Sequence, residues 1–283
     1  MKTYYECVPC LMRQTLEAAR QATADETIQE QVLRRVMLAL SEADLGQSTP
    51  VWIGMVHRLV REATGNNDPY REEKEKLNQV ALDLYPRFKS IARSSADPVE
   101  TGLRLACAGN VIDFVVAPSV ERSKIDDAVD QAMSSEISEG VVNEFKDLVR
   151  QARRILYLGD NAGEIVFDKL LIELLPREKI TYAVKGRPVV NDVTIDDART
   201  VGITDVVEVI DNGSDLPGTV LSECSDSFRD RFWEADLIIS KGQGNYESLS
   251  ETDKEIFFLF KAKCEVMTLH LGREVGSLVF MRR

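Results

Sequence analysis

Residues 155–164 read ILYLGDNAGE. An apolar run ends on Asp160 and Asn161, and Gly163 and Glu164 follow at once. Two chemistries suit that order. The acid or the amide can cap the helix expected over residues 164–175, with Gly163 easing the turn. Alternatively, their oxygens face a hard cation while free helix N–H groups nearby help hold an anion. A second acidic stretch, VKGRPVVNDVTIDDA at 184–198, offers Asp192. Asp196 and Asp197 suit dipole compensation in the first turn of the next helix. Asp192 lies before that turn and is able to point back at the sheet edge. Asp160, Asn161 and Asp192 together would make an oxygen-only site. With water completing the shell, that suits Mg²⁺ or Mn²⁺.

Three further stretches have polar groups in telling places. In ADLIISKGQGNYESL (235–249) a strand delivers Lys241, followed by Gly242, Gln243, Gly244 and Asn245. Glycines allow close backbone approach to a ligand, and a lysine there neutralises a phosphate oxygen. The plainer reading is a flexible loop with a solvated lysine. In ACAGNVIDF (106–114), Asn110 and Asp113 share one helical face and either close a helix end or support a site. At the N-terminus, Cys7 and Cys10 form a single CxxC. Zinc wants four ligands, so Cys107 or Cys264 would have to complete a metal site. Packing cysteines and a redox pair are the other readings, although a redox motif belongs after a strand.

The bulk chemistry narrows these choices. The chain has 283 residues, with 47 acids against 35 bases and a net charge of −12. Nucleic acid is therefore excluded as the main partner, since a phosphate backbone demands a basic face. Small phosphorylated substrates are not excluded, because a cation and a few lysines invert the local field. Two histidines are too few for a His-rich zinc site, so a hard-metal site must rest on carboxylates and amides. Five cysteines, an odd number, are no disulfide framework and fit a reducing compartment. No apolar run reaches the roughly 18–20 residues of a membrane span. The first residues lack the apolar core of a signal peptide. The expectation is a cytoplasmic protein with no membrane partner.

These groups need a frame. Helical periodicity covers residues 9–20, 27–43, 52–63, 70–92 and about 97–108, with Asp68-Pro69 and Asp97-Pro98 as starts. After about residue 150, short β-rich runs appear at 155–159, 180–184, 206–210, 237–240 and 266–270, most of them separated by helical segments. That alternation predicts an α/β fold with a mainly parallel sheet covered on both faces. Ligands in such sheets sit beyond the C-terminal strand ends, where Asp160, Lys241 and Gly242 fall.

The order of the stretches resembles the family long called domain of unknown function 89, the metal-dependent damage-control phosphatases. CVPCLMRQ, AGNVIDF, GDNAGE, NDVTIDDA, ADLIISKGQGNYE and KAKCEV span nearly the whole chain. The N-terminal CxxC resembles the prokaryotic branch. The resemblance implies a helical N-terminal region (1–100) and a Rossmann-like α/β domain (101–283). It implies a divalent cation (Mg, Mn, Co or Ni) on Asp160, Asn161 and Asp192. Substrate contacts are expected from Asn110, Asp113, Gly163, Gly242, Asn245 and Lys263. Related members carry Arg-Thr-x-Lys near the C-terminus. Here the stretch is FKAK (260–263): Lys263 keeps the lysine and Phe260 replaces the arginine, which departs from the branches that have it.

The expected activity is hydrolysis of a small phosphorylated metabolite. Asp160, Asp192 and Lys241 are the expected catalytic residues, with Asp192 as base or Asp160 as nucleophile. Two alternatives stay open. One is an S-adenosylmethionine-dependent carboxyl methyltransferase, suggested by the acidic, glycine-containing LGDNAGE. The other is a non-enzymatic metal- or redox-responsive protein built on Cys7 and Cys10.

Overall fold

A computed structural model describes residues 1–112, 129–135 and 137–283. Among the described residues six strands form one sheet: β1 (Ile155–Leu158), β2 (Ile180–Val184), β3 (Glu208–Asp211), β4 (Leu237–Lys241), β5 (Ile256–Lys261) and β6 (Leu278–Arg282). Their order is β3-β2-β1-β4-β5-β6. The first five run parallel and β6 is antiparallel to β5. Leu158 at the end of β1 lies level with Ala183 of β2 and Ser240 of β4. This register sets the residues that follow all three strands along one edge. β1 and β4 are neighbours in space, yet β2 and β3 lie to one side and β5 and β6 to the other. The chain thus reverses direction across the sheet between β1 and β4, and the crevice formed there is the usual ligand position of an open α/β sheet.

The numbered helices are α1 (Cys7–Ala22), α2 (Glu26–Ser41), α3 (Thr49–Thr64), α4 (Arg71–Ser94), α5 (Pro98–Ile112), α6 (Glu139–Gln151), α7 (Glu164–Ile172), α8 (Ile195–Thr200), α9 (Asp226–Glu234), α10 (Gln243–Leu249) and α11 (Glu265–Leu271). Strand alternation divides the core into two layers. Ile155, Tyr157, Ile239, Phe257 and Leu259 face α4, α5, α6 and α7, where Leu77, Phe88, Leu105, Phe145 and Ile165 meet them. Leu156, Leu158, Ile238, Phe258 and Phe260 face the other layer with Phe228, Tyr246 and Met267. Helices α1, α2 and α3 close on a smaller core of their own, around Ala18, Val32, Val36, Val56 and Val60.

One expected strand is corrected. Residues 266–270 form most of α11, not a strand. Gly272 closes this helix in the left-handed conformation (φ 65°), Met267 is buried inward, and Leu269 is 84% exposed. The fifth strand is instead IFFLFK, β5, buried along nearly its whole length as a central parallel strand should be.

Candidate active site

Neither Asp160 nor Asn161 caps α7: its N-cap is Gly163, and no side chain makes a cap hydrogen bond there. Both side chains are buried, 7% and 4% exposed, at the sheet edge. They meet Asp192 because backbone hydrogen bonds stitch the two loops together. Ala162 N–H donates to Asn191 O (2.9 Å) and Val193 N–H to Asp160 O (2.8 Å). Asn161 and Asp192 form an isolated antiparallel bridge. The three residues expected to share a site are thus brought together by main-chain bonds.

Gly242, at the end of β4, closes the third side. Its φ is 81°, and a Cβ there would stand 2.1 Å from Asp160 Oδ2. Glycine is required both by the dihedral and by the close approach of the carboxylate. Lys263 is half-buried, and its charge pulls the Asp160 carboxyl down. Its backbone N–H donates to Gln243 Oε1 (2.9 Å), which ties the FKAK segment to α10. Phe260 packs against Tyr246, 5.1 Å between rings, inside the core.

Lys241 differs from the sequence expectation. That expectation put its ammonium beside a phosphate. In the structure it is wholly buried and points into the protein. Nζ donates to Glu164 Oε1 (2.5 Å), Asp168 Oδ1 (2.6 Å) and Ala106 O (2.9 Å), so all three of its protons are taken. Burial opposes its charge, but Asp168 and Glu164 outweigh that and hold its pKa above the ordinary lysine value. Asp168 also accepts Tyr157 Oη (2.8 Å) and Tyr182 Oη (2.9 Å), from stacked rings on paired positions of β1 and β2.

Two other expected contacts are also internal. Asn245 donates to Lys241 O (2.7 Å) and Gly159 O (3.3 Å) and accepts Thr219 Oγ1 (2.7 Å). Gly163 N–H is taken by Asn78 Oδ1 (2.7 Å). Asn110 lies on the last turn of α5, but its side chain is outside the described residues, as is the whole of Asp113.

Three buried charged residues beside the site, Glu164, Asp168 and Lys185, are not among those expected from the sequence. Glu164 and Asp168 stand at i and i+4 of α7, which puts two carboxylates on one buried face, and that spacing was a usable signal. Lys185 directly follows β2, as the expected site residues follow β1 and β4. It is 2% exposed, and its Nζ lies 3.4 Å from Asp192 Oδ2 and donates to Gly218 O.

The donor set fits a hard cation. It contains carboxylate and amide oxygens and no thiolate or imidazole. Burial pushes the Asp160 carboxyl well above the usual range, and Glu164 and Asp192 push it further, against Lys263 and Lys185. Carboxylates crowded in this way are relieved by a cation between them. Asn161 Nδ2 now donates to Asp160 Oδ2 (2.6 Å) and Glu164 Oε2 (3.2 Å). These bonds use Nδ2, so Oδ1 is the atom of the amide that would meet a cation. Among the described residues no three His, Cys, Asp or Glu side chains form a ready-made cage. Two carboxylates and one amide would leave several positions of a hard cation's shell to other oxygen ligands.

The cysteines are free, and no shared site unites the CxxC with Cys107 among the described residues. Cys7 and Cys10 occupy the first turn of α1. Cys107 is wholly buried, and burial pushes its thiol up to about 12.

The family model of the damage-control phosphatase ARMT1-like domain matches residues 3–279. This chain belongs to that family. An uncharacterized protein of Methanocaldococcus jannaschii is 36% identical over 98% of this chain and 94% of its own. A protein of Archaeoglobus fulgidus named damage-control phosphatase is 34% identical over 99% of this chain and 98% of its own. The solved structure of a family member from Pyrococcus horikoshii superposes with a TM-score of 0.90 at 32% identity, covering 100% of this chain and 99% of the other. The family identity extends over the α/β sheet and the N-terminal helices alike.

Proposed function

We infer that this protein is a divalent-metal-dependent phosphatase of small phosphorylated metabolites. The carrying observation is the convergence of Asp160, Asn161 and Asp192 at the crevice between β1 and the strands beside it. The names of the family relatives favour hydrolysis over methyl transfer. Asp160, Asn161 and Asp192 would hold the cation. When bound, it supplies Lewis-acid polarisation and an acidified water. Lys263, half-buried and close enough to act on the Asp160 carboxyl, would offset charge on the transferring phosphoryl group. Asp192, steadied by Lys185, is the candidate proton acceptor. Lys241 acts one layer down as a positioning residue: it pins Glu164, which in turn accepts from Asn161.

The test is p-nitrophenyl phosphate hydrolysis by metal-stripped protein, resupplied in turn with Mg²⁺, Mn²⁺, Co²⁺ and Ni²⁺. Metal-dependent release is expected, falling by more than about 100-fold in Asp160→Ala with the fold retained. Full activity in that variant would remove Asp160 from the centre of the mechanism. A phosphoenzyme trapped by rapid quench would make Asp160 a nucleophile instead of a ligand alone.

A further inference from the structure

A cleft of about 410 Å³ opens on the β2–β3 side of this edge, between α4 and the loops that follow the two strands. Its floor is a satisfied network. Lys74 Nζ lies 3.1 Å from Asp68 Oδ2 and 3.2 Å from Asp197 Oδ2. Asn78 Nδ2 donates to Asp197 Oδ1 (3.1 Å), and Thr194 N–H and Oγ1 donate to Asp197 Oδ2. One group is left over. Asp68 Oδ1 is buried with no hydrogen-bond partner among the described residues, on a side chain 9% exposed in the wall of the cleft. A buried carboxylate oxygen without a donor is costly, and such groups are rare unless something meets them.

Two residues of the cleft reach the loops that carry Asn161 and Asp192. Lys185 lines it and reaches Asp192. Asn78 lines it and holds Gly163, two residues beyond Asn161. Its charge is also informative: five acids and three bases line it, so it repels a second anion. An uncharged or cationic donor, a hydroxyl or an ammonium, answers both Asp68 Oδ1 and the net negative wall.

We propose that this cleft is the leaving-group subsite of the phosphatase, in which Asp68 selects phosphomonoesters carrying a hydrogen-bond donor and the acidic wall rejects those carrying a further negative charge. The proposal rests on the phosphatase reading, and its test separates the two. Four esters are compared with the metal-loaded full chain: p-nitrophenyl phosphate without a donor, glucose 6-phosphate with hydroxyls, glucosamine 6-phosphate with an ammonium, and 6-phosphogluconate with a carboxylate. In Asp68→Asn, kcat/KM for the two donor esters relative to p-nitrophenyl phosphate is expected to fall about tenfold, chiefly through KM. The larger fall of the two tells hydroxyl from ammonium. Glu75→Lys, on the exposed face of α4, leaves the Asp68 network intact and is expected to raise the relative rate for 6-phosphogluconate severalfold. Unchanged ratios in both variants would overturn the subsite. If no ester is hydrolysed with any metal, calorimetry with glucosamine 6-phosphate reads the cleft directly. Binding about tenfold weaker in Asp68→Asn would keep the cleft as the donor-selecting site for the ester's polar part and sink only the phosphatase reading. No heat, or equal heat in both proteins, would sink the subsite as well.

Discussion

Two lysines near the same edge have opposite roles because their surroundings differ. Lys241 is a buried cation balanced by two buried carboxylates, Glu164 and Asp168. Removing it leaves both acids without their partner in a medium that cannot solvate them. Lys241→Met is therefore expected to cost about 3–5 kcal/mol of stability, seen as an earlier urea midpoint. Lys263 is half-buried at the site itself. Lys263→Ala should lower kcat/KM for p-nitrophenyl phosphate by about 10–100-fold while the urea midpoint stays close to that of the parent. Had the roles been exchanged, the stability loss would follow Lys263 and the rate loss would come without unfolding in Lys241→Met. Both lysines were visible in the sequence as candidates. Only the direction of the β4 side chains separated them, because a residue's partner depends on which face of the sheet it enters.

At the scale of elements, the turn after β4 is shaped by what it must clear. Gly242 has positive φ and no room for a Cβ beside Asp160. Gly242→Ala is expected to displace the Asp160 carboxylate and weaken Mn²⁺ binding by more than about tenfold, as calorimetry would show. Metal affinity equal to the parent's would mean that the carboxylate is not held by this contact. The strand–acid junction after β1 was readable from sequence, since an apolar run ending in acids is a local pattern, and Asn191-Asp192 showed the same pattern on a shorter apolar pair in the loop after β2. The strand at 266–270 was misread, because five apolar-rich residues suit a strand or a short helix equally and length alone does not decide. Gly272 as a left-handed cap and the stronger run at 256–261 tipped the choice. Glu164 and Asp168 had the i, i+4 spacing of a shared helix face, yet nothing in the sequence said that this face was buried.

Across the whole molecule, the N-terminal helices are joined to the sheet by charge as well as packing. Arg58 and Arg61 of α3 both pair with Asp215 in the loop after β3. Burial works against the Asp215 carboxylate, but the two guanidiniums hold it below the usual range. Its contribution is present above the unfolded carboxylate pKa and is lost as pH falls through the depressed native value. His57 on the same helix is 3% exposed, and burial with Arg61 lowers it to about 4. The unfolded chain takes up that proton near pH 6.5 and the native state does not. Stability should thus fall by on the order of 3 kcal/mol between pH 6.5 and 4, then level off as far as His57 is concerned. Urea midpoints measured across that range should lose this slope in His57→Phe. An unchanged slope would place the responsible proton elsewhere.

The family, the α/β class and the convergence of Asp160, Asn161 and Asp192 were accessible from residue order, for a physical reason. Strand ends deliver the residues that follow them to one edge, so Asp160 directly after β1 and Asp192 in the loop after β2 fall on the same side of the sheet. Long-range pairing was not accessible in that way. Lys241 meets partners 73 and 77 residues earlier in the chain, and Asp68 of the loop before α4 faces a cleft whose far wall comes from segments more than 100 residues away. Each of those contacts depends on strand register and helix rotation, which the tertiary structure alone sets, and they decide which charged side chains support the fold and which remain to meet a substrate.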